Sequence, residues 1–343
     1  MDKEHLNQIA KALVSKNKGI LAADESTGTI KKRFDTINLA SNLSSRRNYR
    51  ELLFTTPNIN KYISGIILFD ETTQQNTIEG MSFINHLNKL NIIPGVKVDQ
   101  GLQNLTGSNE EMITTGLDNL ESRLIEYKKI GCEFVKWRAV FSIGPNLPTK
   151  NCINTNTRLL AKYAIISQKT NLVPIIEPEV LMDGDHSIKD CYITTEQVLT
   201  ETYKQLNDYG VFLKGTLLKP NMILPGSSNQ IKTNPEEIAM KTIAVLKKTV
   251  PPIVPGIAFL SGGQTELEAT NNLNAINIQA NANNLPWELS FSYGRALQSA
   301  TLKEWSGISA NKKSAQTIFL QRATLTSAAR QGQYSPSLEN TNI

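Results

Sequence analysis

Lys219 stands in an otherwise apolar run, GTLLKPN, with Pro220 directly behind it. Among apolar neighbours, desolvation disfavours the charged form of a lysine, and a second cation nearby disfavours it further. A neutral amine can attack a ketone, and the iminium ion it forms is an electron sink that lets a carbon–carbon bond one atom away break. The bland reading of Lys219 is a salt-bridged core residue, and composition alone does not choose between the two. Other charged residues occupy similar places. Asp24 ends GILAAD, Lys97 and Asp99 lie in PGVKVD, Lys136 and Arg138 interrupt FVKWRAVF, and Glu177 and Glu179 end VPIIEPE. Side chains alternate along a strand, so Lys136 and Arg138 share one face, as do Glu177 and Glu179. Lys136 is the candidate second cation, and the two glutamates suit proton shuttling during carbinolamine dehydration and bond cleavage. Buried charges are costly unless paired or used. Charges of both signs on several strands, lysines among them, favour function over a network that only fixes the core.

The elements that would position these residues are legible as eight apolar or β-rich runs. They are Gly19–Asp24, Ile63–Asp70, Pro94–Asp99, Phe134–Ser142, Val173–Glu179, Gly215–Met222, Val254–Ser261 and Trp287–Tyr293. Most are continuous rather than alternating, the pattern of parallel strands buried on both faces. Helical spacing fills the gaps at Leu117–Lys129, Thr195–Tyr209 and Pro235–Thr249, the last with Asn234 as N-cap, Glu237 three residues on, and Pro251 and Pro252 as the stop. The repeat predicts an α/β fold, a single-domain (β/α)₈ barrel over residues 1–331, with a polar, mobile C-terminal tail over 332–343. In such barrels the active site lies at the C-terminal ends of the strands. A doubly wound open sheet is the alternative, but no Gly-x-Gly-x-x-Gly follows the first strand.

Two clusters could hold anions. FLSGGQ precedes the helix-like TELEATNNLNAIN, and SFSYGRAL places Gly294 and Arg295 at another helix start. Backbone N–H groups at such turns bind phosphate, and barrels often use the loops after strands seven and eight for it. A Gly-Gly turn taken alone is also just a tight turn. The second cluster, ESTGTIKKRF after the first strand, offers Ser26, Thr29, Lys32 and Arg33. Two anion sites around one reactive lysine point to a substrate with phosphate at both ends.

Whole-chain properties narrow the field. The net charge is +5 over 343 residues, without a Lys/Arg block interleaved with aromatics, which argues against nucleic acid and for a small anionic substrate. Three widely spaced cysteines, Cys132, Cys152 and Cys191, give no disulfide framework and read as small buried hydrophobes. Three histidines leave little for a zinc site. MDGDHS (182–187) does not match an EF-hand and reads as a structural turn. Trp137, Trp287 and Trp305 read as core or interface residues. The N-terminus is too polar for a signal peptide and no run is long enough to span a bilayer. The frequent Asn reads as compositional bias.

GILAADEST, VKVDQG, KWRAV, EPE, GTLLKPNM, FLSGGQ and SYGRALQ occur in the order found in eukaryotic-type class I fructose-bisphosphate aldolases, and from about Asn17 to about Pro336 the chain resembles that family. The resemblance implies reversible aldol cleavage of fructose 1,6-bisphosphate to dihydroxyacetone phosphate and glyceraldehyde 3-phosphate, in glycolysis and gluconeogenesis. It implies no cofactor and no metal, and a cytoplasmic homotetramer, while composition and run length speak against nucleic-acid binding and membrane insertion. It makes Lys219 the Schiff-base lysine and Glu177 the main general acid/base. Asp24 then holds the C4 hydroxyl, Lys136 polarises the carbinolamine and keeps Lys219 neutral, and Glu179 is the second carboxylate beside these lysines. Ser261, Gly262, Gly294 and Arg295 match the C1-phosphate site. Ser26, Thr29, Lys32, Arg33 and Lys97 match the region of the C6 phosphate, and Arg138 matches a substrate-site arginine. Thr29 replaces a serine of some members, which keeps a hydroxyl. Many members end in a tyrosine that assists proton exchange on the enamine, whereas this chain ends ENTNI. Slower exchange, or another donor, is expected. The rivals are an aldolase preferring fructose 1-phosphate or sedoheptulose bisphosphate, a scaffold protein on the same fold, and a metal-dependent aldolase, which the scarce histidines disfavour.

Overall fold

Each of the eight apolar runs becomes a strand in the computed structural model, which describes residues 1–108, 110–231 and 233–340. The barrel strands are β1 (Gly19–Ala23), β2 (Ile63–Leu68), β3 (Ile93–Lys97), β4 (Phe134–Phe141), β5 (Val173–Val180), β6 (Leu217–Leu218), β7 (Gly256–Phe259) and β8 (Glu288–Tyr293). They close in the order β1-β8-β7-β6-β5-β4-β3-β2, and the paired strands run parallel. The (β/α)₈ barrel is thus the fold, and the open-sheet alternative is set aside.

The floor of the barrel is apolar. Ile20, Ile67, Phe134, Val173, Ile175, Leu217 and Ala258 form one buried cluster with Leu6, Ala10 and Leu13 of the helix Lys3–Leu13, which plugs the N-terminal end. Outward-facing strand residues pack on the helical ring; Trp137 of β4, for example, stacks on Tyr163 of the helix Lys150–Lys169. All three tryptophans are buried, as are the three free cysteines. With both layers filled by apolar side chains, the charged strand ends are left to surround an open cleft at the other rim.

The boundaries differ from the expected ones for identifiable reasons. The helix Ile188–Asp208 begins seven residues before the expected Thr195, because Ser187 and Asp190 form a reciprocal capping box. MDGDHS therefore runs into a helix start. The helix after Leu117 starts later, at Leu120. Pro235–Thr249 forms as expected, with Asn234 Oδ1 accepting from Glu237 N at 2.8 Å. β6 is much shorter than Gly215–Met222, since Leu213–Gly215 makes a 3₁₀ turn and Pro220 has no N–H to extend the ladder. Asp24, Asp99 and Lys219, expected within strands, lie just past strand ends. A two-stranded antiparallel sheet, Leu102–Asn104 with Met112–Thr114, was not anticipated.

The Asn content is more than bias. Eight asparagines take left-handed backbone angles, among them Asn91, Asn171 and Asn284 directly after helix C-caps, where glycine is common. Of the stretch expected to form a tail, the described part is packed. Tyr334 is buried, Pro336–Asn340 forms a 3₁₀ turn, and Glu339 accepts from Arg322 at 2.7 and 3.0 Å and from Tyr334 Oη at 2.8 Å. The last three residues, on which the expectation about a terminal tyrosine bears, lie outside the described residues.

Candidate active site

Lys219, Glu177, Lys136 and Asp24 form an alternating ion chain at the C-terminal mouth of the barrel. Lys219 Nζ is 2.9 Å from Glu177 Oε1, Lys136 Nζ is 3.0 Å from Glu177 Oε2, and Lys136 Nζ is 2.7 Å from Asp24 Oδ2. Lys136, Glu177 and Lys219 are each at most 4% exposed. The placement follows from the strands: Arg138 of β4 lies opposite Glu177 of β5, and Lys219 N donates to Ile176 O at 2.8 Å. Burial alone would raise the Glu177 and Asp24 carboxyls, but Lys136, with Lys219 next, holds both below the usual carboxylate range. Burial would likewise lower Lys136, yet Asp24 and Glu177 hold it above the ordinary lysine value. Lys136 is therefore a fixed cation between two carboxylates.

The remaining strand-end charges form a second tier. Glu179, expected beside the lysines, is instead ion-paired with Arg138. Lys97 Nζ is 2.5 Å from Asp99 Oδ1 and donates to the Asp99 carbonyl at 2.9 Å.

The two anion clusters share a border, because β8 adjoins β1. Gly294 is the hinge of this contact: a Cβ there would come within 3.3 Å of Ala22 O and 3.6 Å of Arg33 Nη2. Gly294 also starts the helix Arg295–Trp305 without a side-chain cap, so that helix N-terminus has no side chain satisfying its first amides. The helix after FLSGGQ differs from expectation. Its N-terminus is closed by its own capping box, Thr265 with Glu268, so the amides available to an anion belong to the turn rather than to the helix end. Gly262 in that turn has φ +56°, a left-handed angle that favours glycine, and Arg295 Nη2 donates to its carbonyl. In the cluster after β1, Ser26 caps the helix Thr27–Asp35 and bonds Thr29 Oγ1 at 3.1 Å.

All fifteen residues singled out in the sequence line one cleft of about 810 Å³. Eight cationic side chains against four acidic ones line it, an excess that suits a substrate carrying two phosphates.

Residues 5–343 match the family model for "Fructose-bisphosphate aldolase class-I". The chain belongs to this family. It is 54% identical over 317 residues to fructose-bisphosphate aldolase 4, cytosolic, of Arabidopsis thaliana, covering 92% of this chain and 80% of that one. It is 49% identical over 333 residues to fructose-bisphosphate aldolase B of Oryctolagus cuniculus, covering 97% and 91%. A solved structure of fructose-bisphosphate aldolase from Plasmodium falciparum, in complex with TRAP and a small-molecule inhibitor, superposes with a TM-score of 0.95 at 48% identity, over 97% of this chain and 96% of that one.

For a class I aldolase site, the sequence reading left out several lining residues, above all Glu25, with Tyr49, Leu260, Ser292 and Gln298. Glu25 is buried and ion-paired with Arg33, and also with Arg50 at 2.6 Å. Gln298 Nε2 donates to Glu25 Oε1 at 3.2 Å and to Ala22 O at 2.8 Å, and Tyr49 Oη donates to Gln298 Oε1 at 3.2 Å. These bonds fix both the end of β1, where Asp24 begins, and the Arg33 guanidinium at the border of the anion clusters. The available signal was the acidic neighbour in AADEST, but Arg50 and Gln298 come from remote segments. Among the described residues no group of three His, Cys, Asp or Glu side chains is arranged to hold a metal ion, and no helix is long and apolar enough to cross a membrane.

Proposed function

We propose that the reversible cleavage of fructose 1,6-bisphosphate runs in this aldolase through a Schiff base on Lys219. The observation that carries the reading is the chain Asp24–Lys136–Glu177–Lys219, in which one carboxylate touches both lysines. Lys219 gives a proton to Glu177 and its neutral amine attacks C2 of the open-chain sugar. Lys136 stabilises the oxygen of the carbinolamine, which takes one proton from the attacking amine and one from Glu177 and leaves as water, so that the iminium forms beside an ionised Glu177. Asp24 holds the C4 hydroxyl. Loss of its proton to Glu177 breaks the C3–C4 bond, whose electron pair flows into the iminium. Glyceraldehyde 3-phosphate departs, the enamine takes a proton at C3, and hydrolysis of the iminium frees dihydroxyacetone phosphate and Lys219. Ser261, Gly262, Gly294 and Arg295 hold the C1 phosphate. Ser26, Thr29, Lys32, Arg33 and Lys97 serve the C6 phosphate, while Arg138, fixed by Glu179, contacts the sugar. The enzyme works in the cytoplasm, as the cytosolic naming of its relatives supports, and on this reading it serves glycolysis and gluconeogenesis as a homotetramer.

The test is reductive trapping. Borohydride added with dihydroxyacetone phosphate should convert the iminium to a stable secondary amine, and peptide mapping should place it on Lys219. Lys219→Met should lose both label and turnover. Label elsewhere, or an unlabelled Lys219 in an active enzyme, would sink the assignment.

A further inference from the structure

We infer that Asn221 is a positioning residue for the reaction: its side-chain amide stands in for a missing main-chain bond between the strand that carries Glu177 and the segment that carries Lys219. The inference rests on the assignment of Lys219 above. In β5, Val173 and Leu181 donate their N–H groups to Glu133 and Phe141 on the β4 side. Alternation then turns the N–H of residues 174, 176, 178 and 180 toward β6. Two of these, Pro174 and Pro178, have no N–H to give. Lys219 N bonds Ile176 O, so in a parallel ladder the Lys219 carbonyl would accept from residue 178, which is Pro178. The seam therefore fails at the step where Glu177 and Lys219 must be held together. β6 itself spans two residues, and Pro220 ends it.

The next donor along the seam is Val180. A regular ladder would send its N–H to the Asn221 carbonyl; instead it goes to Asn221 Oδ1 at 3.0 Å. The amide is itself oriented. Its Nδ2 donates to Thr195 Oγ1 and to Met222 O, both at 3.1 Å, which leaves Oδ1 pointing at Val180. Asn221 is buried, as is Thr195 on the helix Ile188–Asp208. A helix behind the barrel thus locks an amide that pins β5 to the residue two beyond Lys219. The 2.9 Å contact of Lys219 with Glu177 depends on that seam. The loops after β1 and β8 do not, and the turn after β7 meets this segment through the main chain of Pro220, whose carbonyl accepts from Leu260 N at 3.0 Å, rather than through the Asn221 amide.

The experiment compares Asn221→Leu, Thr195→Val and Thr195→Ser with the parent enzyme. Each is measured for borohydride-trapped iminium by rapid quench with dihydroxyacetone phosphate, for kcat and KM with fructose 1,6-bisphosphate, and for the folded fraction by thermal melting. A displacement near 1 Å at a reacting centre costs about 100-fold in rate. Asn221→Leu should slow trapping and kcat by about that factor per folded molecule, with KM changed less than about threefold. Thr195→Val, which only frees the amide to turn, should slow both by about tenfold, and Thr195→Ser, which keeps the hydroxyl, should restore them. If Asn221→Leu does not fold, the Thr195 pair decides alone. Trapping at the parent rate per folded molecule, with Lys219 labelled in the parent, overturns the role of Asn221 and leaves the Schiff base standing. An unlabelled Lys219 in the parent overturns both.

Discussion

Replacing Lys136 by Met tests the ion chain directly, because it keeps the side-chain stem and removes the charge. Lys136 is 3% exposed and ion-paired with both Asp24 and Glu177, at 2.7 and 3.0 Å. Removing one partner from a buried pair costs about 3–5 kcal/mol, most of it the penalty of leaving a charge uncompensated. Glu177 keeps Lys219, so the penalty falls on Asp24, which is left without its partner. For a chain of this size, roughly 2 °C per kcal/mol gives a fall in Tm of about 6–10 °C at pH 7.5. The loss should depend on pH. Asp24 and Glu177 are held below their ordinary values of 3.8 and 4.5, so their contribution to stability is complete above about pH 5 and is lost as pH falls through the folded-state values. The gap between parent and variant should therefore be widest near neutrality, narrower at pH 4, and should close only below the lowered folded-state values, where the parent's carboxyls are protonated as well. Urea melts at pH 7.5 and pH 4, with kcat from a coupled assay, read both effects; kcat should fall at least about 100-fold, because the cation proposed to face the carbinolamine oxygen is gone. A deficit of less than about 1 kcal/mol at pH 7.5, or an equal deficit at both pH values, would show that the stem and not the charge matters, and the reasoning about this network would be wrong.

Three further outcomes follow from the same geometry. Glu25→Gln unties Arg33 from its buried anchor, so KM for fructose 1,6-bisphosphate should rise about tenfold while kcat changes little; a drop in kcat at constant KM would place Glu25 in the chemistry instead. Gly262→Ala forces a side chain onto φ +56° at about 1–2 kcal/mol and brings its Cβ within 3.3 Å of Leu260 Cδ1, which should weaken binding of a phosphate-bearing competitive inhibitor about tenfold, as calorimetry can measure. Glu339→Gln removes the charge that ties 332–340 to Arg322, so limited proteolysis should cut near Tyr334 faster than in the parent; an unchanged cutting rate would mean that apolar packing of Tyr334 and Leu338 holds the segment.

The barrel was legible because parallel strands covered on both sides must be continuously apolar, and eight such runs cannot be hidden in a chain of this length. What escaped was set by local chemistry with little hydrophobic signal. The strand Leu102–Asn104 is exposed throughout, so no buried face marks it. The start of the helix Ile188–Asp208 was masked because its cap, Ser187, sits inside the acidic MDGDHS stretch. The site residues converged on one cleft because a closed barrel brings all strand ends together whatever their spacing in the chain. Their pairing was not legible. Glu179 went to Arg138, and Glu25 found Arg50 and Gln298, since partner choice depends on register and on loops that follow strand ends.

The pairing also bears on whether the network serves catalysis or only the core. Lys136 is bonded to two carboxylates and Lys219 to one, so the two lysines are not equivalent. If Lys219 passes a proton to Glu177, two buried charges disappear together and the pair left behind, Asp24 with Lys136, is still neutral overall. The step therefore strands no charge in the interior, the outcome that makes most buried proton transfers costly. A proton leaving Lys136 instead would abandon Asp24 without its 2.7 Å partner. In the proposed mechanism this asymmetry lets one amine of the four-membered chain become a nucleophile while the other stays a cation, and a network built only to fix the core has no need of it.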